Sequence, residues 1–232
     1  MAGCAAMPAK KPVKKDPGIA PLHERVEEWK RRIARYESGH RNKAHPFSYE
    51  RSALLVIDMQ RYFFEKSSHA FIEPAPPILP NVRGILEAYR ELGFPVIFTR
   101  HAYAKGEDPG IMKTWWSELE EDGDPLASIV GELKPKPGEP VITKGRYSAF
   151  VNTDLEKRLR RLGVERLLIT GVMTHLCCES TARDAFMRDF EVFFVIDGTA
   201  SEDDDLHLAS LMTLTDGFVM PVTTKEVLSC LR

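Results

Sequence analysis

The sequence predicts an α/β protein: a single-domain, doubly wound (Rossmann-like) six-stranded parallel sheet with helices on both faces, preceded by an N-terminal helical extension. Three observations predict it. Short apolar runs rich in branched residues recur along the chain, amphipathic stretches of helical period separate them, and the two kinds alternate about six times. A strand with no polar alternation must be buried on both faces, and a parallel sheet achieves this through its crossover helices. Right-handed crossovers make such a sheet doubly wound. There are too few units for an eight-fold barrel, so the sheet is open.

The elements follow in order. Residues 1–20, rich in Ala, Lys and Pro, lack the apolar content to pack and read as a disordered tail. Residues 21–50 form the helical extension. Within it Val26, Trp29, Ile33 and Tyr36 make one stripe on a helix from Pro21 to Ser38. Such a stripe needs a surface to cover it, either its own domain or a neighbouring subunit; a homo-oligomer is expected, with docking on the same chain as the rival. The main domain is 51–232. Its first strand is Ala53 to Ile57, followed by a helix over 81–92 that Gly93 closes. A strand at 96–99 leads into an irregular segment at 102–138. Then come a strand at 141–143, a helix at 154–162 and a strand at 166–170. A helix over about 175–188, a strand at 192–196, a helix over about 203–215, a short strand near Phe218 and a helix at 225–231 complete the chain.

Composition excludes several classes. Of 232 residues 43% are hydrophobic and 28% charged, which is ordinary globular usage and not that of a fibre or a disordered chain. With 32 basic against 34 acidic residues, nothing points to nucleic acid. No apolar run approaches the roughly 18–20 residues that cross a bilayer, so no membrane partner is expected. The short apolar start precedes its lysines, the reverse of a signal peptide. Two of the four cysteines, Cys177 and Cys178, are adjacent, which is no disulfide framework; a reduced, cytoplasmic setting is expected.

Open parallel sheets bind ligands outside the carboxyl ends of their strands. Asp58 follows the first strand in LLVIDMQ, Lys144 the third in VITKGRYSAF, and Cys177 lies in GVMTHLCCEST after the fourth. Thr174 reads as an N-cap, which puts Cys177 in a first helical turn where the dipole and free amides favour a thiolate. Lys144 nearby would lower the thiol pKa further, and Asp58 could shuttle a proton. A lone Cys in a helix is most often a small core residue. The weight lies in three such residues at three strand ends.

These three blocks resemble those of the isochorismatase-like cysteine hydrolases, over roughly Arg51 to Val222. The resemblance implies an Asp-Lys-Cys triad at Asp58, Lys144 and Cys177. It also implies a cis peptide between Val172 and Met173, with the amides of Met173 and Cys177 forming an oxyanion hole. Cys177 takes the nucleophile's place in the block alignment. Adjacent helical residues point about 100° apart, so Cys178 faces the core. Cys230 reads as structural. Gln60, Arg100, Tyr147 and Thr174 stand at the rim as substrate-binding candidates, with Arg100, Arg146 and Tyr147 able to hold a carboxylate. Trp115 and Trp116 could form a lid or a subunit contact.

The nicotinamidase branch of the family resembles an Asp-x-His pattern with a further His. Here His69 and His101 stand alone, so no metal and no cofactor is expected, which counts against nicotinamide. The leading expectation is hydrolysis of a C–N bond in a small amide through a cysteine thioester. The alternatives are vinyl ether hydrolysis with Asp58 as general acid, as in isochorismatases proper, and a catalytically idle binding scaffold.

Overall fold

The computed structural model describes residues 20–37, 46–116 and 118–230. The expected tail at 1–20 lies, but for its last residue, outside the described residues. In chain order the elements are α1 (Leu22–Glu37), β1 (Ser52–Ile57), α2 (Arg61–Phe64), α3 (Ala75–Leu92), β2 (Val96–His101) and α4 (Ile111–Trp115). They continue with β3 (Val141–Lys144), α5 (Leu155–Arg161), β4 (Arg166–Val172), a wide π-type turn (Thr174–Cys178) and α6 (Glu179–Phe186). The chain then runs through β5 (Glu191–Ala200), α7 (Asp204–Gly217), β6 (Met220–Val222) and α8 (Thr224–Ser229).

All six strands are parallel, in the order β3-β2-β1-β4-β5-β6. The chain winds outward from β1 to β3, crosses back, and winds the other way from β4 to β6. The switch point therefore lies between β1 and β4, where ligands of open sheets bind. Alternate strand residues feed opposite cores. Ala53, Leu55 and Ile57 pack with Leu155, Ala182 and Leu211 of α5, α6 and α7. Leu54 and Val56 pack with Val82, Ile85 and Val227 of α3 and α8. Among the described residues, no helix is long and apolar enough to cross a membrane.

Helix α1 docks on its own chain. Val26, Trp29 and Ile33 are buried in the same core as α5, α6 and α7, and Arg25 pairs with Asp204 at the start of α7. The rival reading of the stripe is therefore the one seen, and the stripe gives no ground for a subunit contact. Helix α3 starts six residues earlier than its periodicity suggests. Its early prolines occupy the first turn, where an N–H would lack a partner anyway. The irregular segment holds α4 and two short 3₁₀ turns. Strand β6 begins at Met220, two residues past the expected place, and α8 ends at Ser229.

One glycine shapes the switch point. Gly171 in β4 has φ 120°, and a Cβ there would lie 1.9 Å from the carbonyl oxygen of Ile57. Glycine alone lets the ends of β1 and β4 approach this closely. The next peptide but one, Val172–Met173, is cis, as the resemblance implies.

Candidate active site

Asp58 leaves β1 at φ 49°, a left-handed conformation that short polar residues tolerate best. Its amide donates to the carbonyl and to the hydroxyl of Thr99 on β2. The Thr99 hydroxyl in turn donates to Oδ1 at 2.6 Å. The carboxylate is thus aimed along the sheet, and it is fully buried. Lys144, the last residue of β3, reaches past β2 and sets its Nζ 2.7 Å from Asp58 Oδ2. The same ammonium donates to Cys177 Sγ at 3.2 Å and to the Arg146 carbonyl at 3.1 Å. Three strand ends thus bring a carboxylate, an ammonium and a thiol to one buried point.

The charges settle one question against expectation. Burial opposes the charge on Lys144, but the Asp58 carboxylate and the Cys177 sulfur outweigh it and push its pKa up. Burial pushes the Cys177 thiol up, Lys144 pulls it down, and the Asp58 charge raises it again. The net direction is upward, opposite to the thiolate that a helix start alone would favour. Cys177 lies not in the first turn of α6 but in the π-type turn before it. There the Met173 carbonyl accepts from the amides of both Leu176 and Cys178.

Several rim candidates are placed differently from expectation. Thr174 does not cap the helix. Its hydroxyl bonds His207 Nδ1 at 2.8 Å, and the side chain is fully buried. The Gln60 amide is consumed by backbone: it donates to the carbonyls of His101 and Ala127 and accepts from the His101 amide. It therefore ties β2 to the loop after α4. Arg100 bonds Thr143 and pairs with Asp122 at 2.8 Å, in a partly exposed cluster. Tyr147 does lie beside the triad, with Lys144 and Cys177 both acting on its phenol, and its hydroxyl accepts from Trp116 Nε1 at 2.8 Å. Trp115 instead stands 67% exposed, so the two tryptophans part. Cys178 is fully buried in the core, while Cys230 is exposed at the end of α8.

Residues beyond the sequence reading complete the surroundings. Tyr62 is buried against the triad, its phenol pushed well up by burial and then by the charges of Glu120, Asp58 and Cys177. It backs a cleft of about 320 Å³ that His69, Glu118 and Glu120 also line. His69 lies 3.1 Å from the Glu118 carboxylate and 3.7 Å from that of Glu120. His101, buried beside Lys144, is lowered to about 4 by burial and by that ammonium. Among the described residues, no group of three or more His, Cys, Asp or Glu is arranged to hold a metal ion.

The chain is similar to known proteins. A family model described as Isochorismatase domain matches residues 52–226. Nicotinamidase 3 of Arabidopsis thaliana is 40% identical over 170 residues, covering 72% of this chain and 82% of that one. The Isochorismatase of Bacillus subtilis is 32% identical over 183 residues, covering 78% of this chain and 58% of that one. The crystal structure of a cysteine hydrolase from Pseudomonas syringae pv. phaseolicola superposes with a TM-score of 0.78 at 27% identity, covering 82% of this chain and 98% of that one.

Proposed function

The chain belongs to the isochorismatase family of hydrolases, and from that premise we propose that it cleaves a C–N bond of a small amide through a thioester on Cys177. One observation carries the reading. A single buried ammonium, Lys144 Nζ, touches both the Asp58 carboxylate and the Cys177 sulfur. An ammonium held this firmly cannot serve as the base, so that role falls to Asp58.

The steps then balance. As the sulfur attacks the carbonyl carbon, the thiol proton passes to Asp58, and Lys144 stabilises the charge on sulfur. The carbonyl oxygen becomes an oxyanion, for which the amides of Met173 and Cys177 are the proposed donors, each worth about 3 kcal/mol or somewhat more at comparable sites. The C–N bond breaks as Asp58 returns the proton to the leaving amine. Water then loses a proton to Asp58 and attacks the thioester. The C–S bond breaks, and the sulfur takes the proton back. Asp58 thus works as a base in each attack and as an acid in each departure. Tyr147 is the proposed substrate contact among the rim residues. The likeness to Nicotinamidase 3 brings nicotinamide back among the candidate amides.

A second reading is vinyl ether hydrolysis, in which Asp58 protonates the substrate and no thioester forms. The likeness to the Bacillus isochorismatase favours it. Two variants tested on a panel of amides, ureas and isochorismate separate the readings. For C–N hydrolysis, Asp58→Asn and Cys177→Ala should each cost roughly 10³-fold or more, and the double variant little beyond either, because the residues act as a unit. Near-normal turnover by Cys177→Ala with loss in Asp58→Asn would overturn the amide reading in favour of the ether.

A further inference from the structure

The turn that carries Cys177 is held by α7, and α7 is in turn packed by a helix outside the matched domain. The first residue of the turn, Thr174, bonds His207 Nδ1 at 2.8 Å, and both side chains are buried. His207 sits in the first turn of α7. The Trp29 ring of α1 lies against its imidazole, with centroids 4.1 Å apart. The guanidinium of Arg25, also on α1, lies 4.9 Å from the Trp29 ring centre and binds Asp204 in the same turn of α7. The neighbouring His175 is fixed as well, its Nδ1 2.9 Å from the Ser201 hydroxyl just before α7. Helix α1 lies at 22–37, whereas the family match begins at residue 52.

We propose that His207 is a positioning residue for the Cys177 turn, and that α1, through Trp29 and Arg25, locks it in place. The function of this arrangement rests on Cys177 being the nucleophile; the mechanical link itself does not. A π-type turn spaces its amides more widely than an α-turn and is a costlier conformation. It therefore gains from external partners. The Thr174–His207 bond fixes the start of the turn, and with it the direction in which Cys177, three residues on, meets Lys144. The imidazole stays neutral because burial and the Arg25 charge lower its pKa to about 3. It can therefore exchange one hydrogen bond with the threonine without bringing a second cation near Arg25. The ring of Trp29 closes the cavity in which the imidazole would otherwise turn. By this account the N-terminal helix is part of the catalytic framework and not an appendage.

Hydrogen exchange resolved by peptide, on the full chain, tests the link without any substrate. His207→Leu and Trp29→Ala should each speed exchange of the amides in 174–178 by tenfold or more. The segments carrying Asp58 and Lys144 should change by less than twofold. His207→Asn, whose amide can reach the threonine hydroxyl in place of Nδ1, should stay within threefold of the parent. Unchanged protection of the turn in both damaging variants would overturn the proposal, as would a loss spread evenly over all segments. If His207→Leu does not fold, Thr174→Val, read in the same way, decides. A confirmed link together with an absence of amide turnover would leave the positioning intact and sink only the C–N reading.

Discussion

At the scale of the residue, the central contact is the pair formed by Asp58 and Lys144, both fully buried. A buried ion pair is weak evidence for stability, because desolvation offsets most of the attraction. Removing one partner is a different matter, since it strands a charge. Lys144→Met should therefore destabilise by about 3–5 kcal/mol and abolish activity, because it strands the Asp58 carboxylate and removes the ammonium that touches the Cys177 sulfur. The double variant Asp58→Asn/Lys144→Met removes both charges and should recover much of that stability while remaining inactive. Urea denaturation beside turnover reads both quantities. A double variant no more stable than Lys144→Met alone would show that the pair stabilises the fold outright, contrary to this account.

At the scale of the element, α1 shows what burial decides. Ile33 is 1% exposed within the core, whereas Ile111 in α4 is 68% exposed. Ile33→Ala should cost about 2–5 kcal/mol by lost transfer energy and cavity formation, while Ile111→Ala should stay within about 0.5 kcal/mol. Equal effects in the two variants would mean that α1 is not part of the folded core. The elements were legible where a local signal specified them. The apolar strand runs, the helical stripe of α1 and the polar residues at strand ends all survive in the structure. What was not legible depends on long-range partners. Thr174 looks like a helix cap because Ser and Thr usually are, and only the packing of α7 reveals that its hydroxyl goes to His207. Gln60 and Arg100 have the chemistry to bind a substrate, yet the backbone of the β2 edge and Asp122 claim them first. Thr99 carried a faint signal, a polar residue inside an apolar strand, whose meaning needed the register that sets it against Asp58. The surroundings of the Cys177 thiol were hidden for the same reason. A helix start lowers a thiol pKa locally, but burial beside an aspartate is a tertiary property and outweighs it.

At the scale of the whole molecule, stability should depend on two buried histidines. His101 is lowered to about 4, first by burial and then by Lys144, and His207 to about 3, first by burial and then by Arg25. In the unfolded chain both would titrate near 6.5. Below that pH the unfolded state binds protons that the folded state refuses, so stability falls as pH falls. The loss begins near pH 6.5, continues to about 4 for His101, and continues further for His207. Each group contributes 1.36 kcal/mol per pH unit within its window, or roughly 3 kcal/mol by pH 4. Two carboxyls push the other way. Burial raises the pKa of Glu120 and of Asp197, so protonation on folding stabilises the native state at acid pH. Their slope runs from the ordinary carboxyl value near 4 upward, so they oppose the imidazoles in the lower part of the histidine window and leave its upper part to them. The urea midpoint should therefore drop steadily between pH 6.5 and 5 in the parent. In His101→Asn it should start lower at pH 7, because packing is lost, but fall less steeply with pH. A parent midpoint that is flat over this range, or an equally steep fall in His101→Asn, would show that the imidazole takes up its proton inside the fold and that the pocket beside Lys144 is wetter than its burial implies.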